Sequence, residues 1–310
     1  MKLSFLDLVA CPRCGAHLQS SGSAEGAPEL EDGELRCENG HTFPVLGGIP
    51  RFVDSQLYVE NFGFEWNVHA RTQLDAGSSD ESERTFRAKT GFTPEDLHGR
   101  LILDVGCGMG RFSDVVSRWG GHVVAIDLSR AVEAAQRNIG RRENVNIAQA
   151  DIFDLPFPDE TFDFIFSIGV LHHTPSTRAA FDRLPRLLRK DGRIAIWVYT
   201  SYSATQWRFS DLYRRFTPRI PKRILHALCY AAVPLYFVYK IPIAGLFFRW
   251  ILPVSNHPRS EWRVLDTFDW YSPKYQWKHS YEEVFPWFEE NGLTSIRVLK
   301  VPVALQGTKP

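Results

Sequence analysis

Leu101-Ile-Leu-Asp104-Val runs into Gly106-Cys-Gly-Met-Gly110, and then into an amphipathic stretch, Phe112–Trp119. An apolar strand that turns through glycines into a helix restricts the chain to an α/β sheet with a ligand site at the strand's C-terminal end. Three more features keep that register. His122–Asp127 reads as a second strand ending in an acid, 23 residues after Asp104. An acid there is placed to accept hydrogen bonds from ribose hydroxyls. Ser129 is expected to cap a helix through about Gly140. Val145-Asn-Ile-Ala-Gln-Ala-Asp151-Ile152 reads as a third strand ending in an acid, and Phe162–His173 as a fourth strand opening into a loop. A helix over Leu184–Lys190, a turn at Asp191-Gly192 and a fifth strand over Arg193–Tyr199 complete the pattern.

This combination resembles the class I S-adenosylmethionine-dependent methyltransferases, closely over 99–200 and loosely over the last thirty residues. A dinucleotide dehydrogenase would normally carry G-x-G-x-x-G, whereas Gly106, Gly108 and Gly110 give G-x-G-x-G. The resemblance implies a doubly wound, mainly parallel, seven-stranded sheet and S-adenosyl-L-methionine as cofactor. It places Gly106, Cys107, Gly108 and Gly110 along the methionine portion, with Asp104 orienting its ammonium. It gives the ribose to Asp127 and Leu128, and the adenine to Asp151 and Ile152. Ser167, Ile168 and Gly169 would lie beneath the sulfonium. The catalytic domain also resembles the methyltransferases of quinone biosynthesis.

His172 and His173 follow the fourth strand, where an acceptor would sit, and histidine suits proton transfer near neutral pH. They are the catalytic candidates. A Leu-His-His stretch is equally a packing feature of related enzymes. Tyr199 and Tyr202 are weaker candidates. No Asn-Pro-Pro-Tyr or Asp-Pro-Pro-Tyr follows the fourth strand, which counts against the group that uses it on adenine or glutamine nitrogens.

Before this core, Cys11-Pro-Arg-Cys14 and Cys37-Glu-Asn-Gly-His41 have the spacing of a tetrahedral Cys₃His zinc site. Four protein ligands leave no open position, so the zinc would be structural, and it would supply much of the folding energy of so small a module. His17 is a weaker rival to His41. The intervening Ser20–Pro28 is rich in Ser and Gly and reads as a loop. Thr42–Arg51 continues a resemblance to the small zinc-ribbon activators of methyltransferases, and the Cys/His spacing is also similar to the zinc module of rRNA guanine methyltransferases.

The expected organisation is a zinc ribbon over 1–55, a helical lid over 56–98, the cofactor-binding core over 99–200, a helical cap insertion over 201–259 and the end of the fold over 260–310. That lid or linker includes Phe62, Phe64, Trp66, His69 and Gln73, and a packing helix is the alternative reading of the stretch. Tyr281–Asn291 reads as a helix and Leu293–Val301 as a strand, with Pro302 confining any later strand to an edge position.

Charge adds a constraint. Thirty-six basic residues balance thirty-six acidic ones in 310, so the chain is no general polyanion binder. Residues 201–259, however, hold nine basic residues against Asp211 alone. Their apolar run, Ile224–Tyr239, is too short to span a bilayer and is broken by Pro234. A buried cap, a membrane-surface element and an RNA-phosphate site using Arg208, Arg214 and Trp207 remain open. The leading expectation is a small-molecule or lipid-like acceptor, with RNA second and a ribbon-bound protein partner third. The cysteine pattern, and a Met1–Ala10 stretch without a secretory signal, point to a cytoplasmic protein, with peripheral membrane contact through 201–259 as the variant.

Overall fold

Short strands come first: β1 (Leu18–Ser21), β2 (Gly33–Cys37), β3 (Thr42–Leu46) and β4 (Ile49–Phe52). They pair antiparallel in sequence order, and β3 alternates exposed and buried side chains as a half-covered strand should. The computed structural model describes residues 1–22, 28–53, 59–77, 79–202 and 204–310. Part of the Ser20–Pro28 loop, and the side chains of Trp207 and Arg208, lie outside the described residues.

Three helices follow: α1 (Glu60–Val68), α2 (Glu81–Thr90) and α3 (Pro94–Leu97). Thr93 and Asp96 cap α3 reciprocally, and Gly91 ends α2 in the left-handed conformation. The core then alternates β5 (Leu101–Val105), α4 (Arg111–Arg118), β6 (His122–Asp127), α5 (Val132–Ile139), β7 (Val145–Ala150), β8 (Phe162–Ile168), α6 (Thr177–Phe181) and β9 (Leu188–Trp197). Strands β5 to β8 are almost wholly buried, the pattern of parallel strands covered on both faces. The insertion forms α7 (Ala204–Tyr213), α8 (Lys222–Cys229), α9 (Ala232–Val238) and α10 (Ala244–Ile251). The chain closes with α11 (Ser260–Tyr271), α12 (Tyr281–Glu290), β10 (Thr294–Val298) and β11 (Ala304–Thr308).

The strands form one sheet in the order β1-β2-β3-β4-β7-β6-β5-β8-β9-β11-β10. Parallel pairing runs from β4 to β9. The expected seven strands are therefore corrected to eleven. The cause is β4: Arg51 and Phe52 pair in parallel with Gln149 and Ala150, so the N-terminal strands extend the sheet across the open edge of β7. One apolar core runs through both parts, from Phe5, Leu18, Leu35 and Phe43 to Ile126, Ala148 and Phe157.

Two local expectations also change. Leu184–Lys190 is not a helix. Pro185–Leu187 makes one tight turn, and Leu188 already pairs with Phe162 as the start of β9. β11 is not an edge strand but lies between β9 and β10. Pro302 precedes β11, so its missing N–H removes nothing from the ladder, and the exposed β10 takes the edge instead.

Candidate active site

The cavity opens at the C-terminal ends of the parallel strands, where the order turns from β5 one way to β6 and β7 and the other way to β8. It has a volume of about 640 Å³, within the range of ligand pockets. The last residues of β5, β6, β7, β8 and β9 all reach its wall: Val105, Asp127, Ala150, Ile168 and Trp197. Gly106, Cys107 and Gly108 form its floor. Gly106 has φ +84°, and a Cβ on it would sit 2.3 Å from Val170, so this turn admits glycine alone. The Gly106 and Cys107 amides donate to the Ile126 carbonyl, which ties the turn to β6.

Asp127 lines the cavity and is fully engaged on its protein side. Its Oδ2 accepts from the Gly108 amide at 3.0 Å, and its Oδ1 from the Ser129 amide and hydroxyl at 2.8 and 2.7 Å. Burial raises its carboxyl above the usual range despite these donors. Ser129 serves the carboxylate and the Ala131 amide at once, so the helix expected from Ser129 starts three residues later, at Val132.

The other named residues divide into wall and support. Leu128, Ile152, Ile168, Gly169 and His173 are on the wall. Asp104, Gly110, Asp151, Ser167 and His172 are behind it. Asp104 accepts from the Ser113 hydroxyl at 2.6 Å, and burial pushes it up to about 7. Gly110 opens α4 in the left-handed conformation. Asp151 accepts from the Phe153 amide in a tight turn, and the Ser167 hydroxyl bonds the Val105 carbonyl. His172 is fully buried and stacked on Tyr199, accepting from the Tyr199 amide through Nδ1.

His173 has an asymmetric ring. Its Nδ1 lies 2.8 Å from the Tyr275 carbonyl, which only accepts, so Nδ1 carries the proton and donates. Nε2 is then a lone-pair nitrogen, with no protein partner among the described residues. Burial holds the ring's pKa below the usual histidine range.

A second half of the cavity joins residues that are far apart in sequence. Lys89 places Nζ 3.2 Å from the Trp197 ring centre, and burial lowers it to about 7. Arg111 donates to Ser82 and Gln73 and lies over Trp262; burial lowers it to about 10. From α11 come Trp262, Leu265, Asp266, Asp269 and Trp270. Burial pushes Asp266 up to about 7, and Asp269 accepts from the Tyr199 hydroxyl at 2.7 Å. The spacing 262, 265, 266, 269, 270 is one helix face, a signal available in the sequence. Arg111 follows the glycine turn directly. Lys89 had no such marker.

The N-terminal part holds a separate constellation. Ligand atoms of Cys11, Cys14, Cys37 and His41 all lie within 4.8 Å of one another. His41 Nδ1 is 3.4 Å from the sulfurs of both Cys11 and Cys37, and Cys14 and Cys37 sulfurs are 3.8 Å apart. These edges match a tetrahedron about an ion at roughly 2.1–2.3 Å from each ligand. Asn39 donates to the Cys14 sulfur. His17 is outside the group.

Residues 103–196 match the family model described as a methyltransferase domain. That segment, under a third of the chain, is similar to a methyltransferase domain. The chain is similar to the demethylmenaquinone methyltransferase of Clavibacter sepedonicus, 31% identical over 39% of this chain and 49% of that protein. It is 26% identical to 24-methylenesterol C-methyltransferase 2 of Oryza sativa subsp. japonica, over 55% of this chain and 47% of the relative. A human protein named for tRNA methylation is 36% identical over 35% of this chain and 23% of its own. The chain thus spans about half or less of the curated relatives it matches. A solved S-adenosylmethionine-dependent methyltransferase from Mesorhizobium loti aligns over 33% of this chain and 47% of its own, at 27% identity and a TM-score of 0.30. No described helix is long and apolar enough to cross a membrane.

Proposed function

We propose that this chain transfers a methyl group from S-adenosylmethionine to a small or lipid-like acceptor held between β9 and α11. The observation that carries the reading is the two-part cavity, with the Gly106–Gly108 turn and Asp127 on one side and an aromatic, charged chamber on the other. The cofactor, when bound, supplies an electrophilic methyl on a good leaving group. The chain's residues then contribute position and exclusion of water. Asp127 would hold ribose hydroxyls, Ile152 and Leu128 would flank the adenine, and Gly169 would border the reacting centre. Trp197 and Trp262 would hold an apolar acceptor body. His173 Nε2 would take a proton from an acceptor that must lose one.

The acceptor class draws on the relatives named for quinone and sterol methylation and on the aromatic chamber. Among the described residues, none of 209–251 lines the cavity, which speaks against Arg214 and the arginines after it feeding an RNA into it. A ribbon free to bind a protein partner fits poorly with the pairing of β4 to β7 and the shared core. The Cys₃His cluster fits a structural zinc ion: it would link β2 and the β2–β3 turn to the Cys11–Cys14 knuckle and leave no ligand position open.

Calorimetric titration with the cofactor tests the first half. Asp127→Asn should weaken binding by about 10–100-fold, the worth of one or two hydrogen bonds to a charged group. An unchanged affinity in a folded variant refutes the ribose role. Incubation with methyl-labelled cofactor and a cell extract, followed by separation into lipid, small-molecule, RNA and protein fractions, tests the second half. Nuclease-sensitive label would overturn the acceptor class.

A further inference from the structure

Helices α7 to α10 carry apolar side chains on two sides. On α8, Leu225 and Cys229 pack inward on Val264, Phe268 and Tyr271 of α11. One residue back at each position, Ile224 and Leu228 are 54% and 58% exposed. The same holds further along: Phe237 is 62% exposed, Ile243 88%, Leu246 66% and Phe247 61%. An unpartnered layer of this extent marks an interaction surface.

Charge identifies the partner. Seven of the nine basic residues of 201–259 fall into two groups, while Arg259 pairs with Glu81 of α2 and the Arg208 side chain lies outside the described residues. Arg214 points inward and donates to the Trp270 and Pro273 carbonyls, and Lys222 pairs with Glu60 of α1. Arg215, Arg219, Arg223, Lys240 and Arg249 are exposed, and no ion pair joins them to an acid among the described residues. They sit among the exposed apolar residues. The segment has a net charge of +8, from nine basic residues and one acid, in a chain that is neutral overall. An apolar face rimmed by unpaired cations complements an anionic, amphiphilic surface. Helices of seven to ten residues, with Pro234 in α9 and Pro242 between α9 and α10, lie along such a surface rather than cross it.

We infer that α7–α10 dock this chain on the surface of an anionic lipid bilayer. The exposed Phe, Ile and Leu side chains enter the boundary between headgroups and acyl chains, and the five unpaired cations sit against lipid phosphates. The docking layer lies directly over the roof of the cavity. α11 and α1 lie between them: α11 gives Trp262, Asp266 and Asp269 to the cavity and Val264 and Phe268 to α8, and α1 gives Phe62 and Trp66 to the cavity and Phe64 to His226 of α8. This docking holds whatever acceptor the cavity takes.

The test is flotation of the whole purified chain with vesicles of phosphatidylcholine alone, and of phosphatidylcholine mixed equally with phosphatidylglycerol. The chain should float with the mixed vesicles, and added salt should release it. The double variant Phe237→Ser/Phe247→Ser should lose binding by about tenfold or more, while its thermal melt and cofactor affinity stay as in the parent. Arg223→Gln and Arg249→Gln should each cost about fivefold, with a weaker salt dependence. Three results overturn the inference: no flotation with either vesicle; equal flotation with both; or a dimer in light scattering that the double phenylalanine variant converts to monomer, which would make the face a self-interface. Vesicle binding without detectable methyl transfer would leave the docking standing and count against the proposed reaction alone.

Discussion

At the scale of single residues, the chemistry of the site turns on which nitrogen of His173 is free. The Tyr275 carbonyl fixes the proton on Nδ1 and leaves Nε2 as a buried lone-pair nitrogen on a ring that lines the cavity, the atom proposed above as the base. Burial favours the neutral ring, so its folded pKa is depressed. The base form therefore persists as pH falls below about 6.5, the ordinary histidine value. With an acceptor that must lose a proton, the rate should stay on its plateau below that pH before it falls. His173→Gln should lower kcat by about 100-fold or more and leave cofactor affinity unchanged. A variant of parental kcat would remove the base role. His172, its equal in the sequence, is spent on packing: it stacks on Tyr199 and does not reach the cavity. Two adjacent histidines look alike in sequence, and only the neighbouring carbonyl and ring separate them. Asp127 shows a related limit. Its position at a strand end was readable, but its three hydrogen bonds to Gly108 and Ser129 were not, so truncation to alanine would disturb the glycine turn as well as the ligand.

At the scale of elements, the glycine turn is the part most fully written in the sequence. A left-handed φ and a backbone pressed against Val170 demand glycine at 106, and the apolar strand before it sets the direction of approach. Gly106→Ala combines backbone strain with a clash, a cost on the order of 3 kcal/mol. The expected result is a lower Tm and lost cofactor binding, measured by scanning calorimetry with and without cofactor. A variant that keeps both would show that the turn relaxes freely. The half of the cavity away from the glycine turn was harder to read because it is assembled from α2, β9 and α11, which are far apart in sequence. Lys89 and Asp266 meet there only because α2 packs against α4 and β9, and α11 folds back over the strand ends. The aromatic and acidic residues of α11 recur at helical spacing, but spacing does not place that face against the strand ends.

At the scale of the whole molecule, the cysteine spacing was legible and the attachment of the ribbon was not. Nothing in Ile49–Phe52 announces that its free edge will find Gln149 and Ala150. That pairing depends on an edge left open by the order of the parallel strands. Because one core spans both parts, loss of metal should be felt beyond the N-terminal strands. Cys14→Ser should bind less than one zinc per chain, by atomic absorption, and should lower the main unfolding transition by about 5–10 °C, as a loss of a few kcal/mol would. Full zinc stoichiometry in that variant would sink the ligand assignment. A separate low-temperature transition, with the main one unmoved, would show the two parts to be energetically independent.

The junction of β4 with β7 also sets a timetable for synthesis. Translation proceeds at about 5–20 residues per second, and β7 emerges about ninety residues after β4, so the wait is on the order of 5–20 s. For that interval the ribosome-bound chain displays the outer edge of β4 with no strand beside it. An ion held by Cys11, Cys14, Cys37 and His41 would keep the first three strands ordered meanwhile, so a nascent chain starved of metal would spend those seconds with a sticky, half-built end.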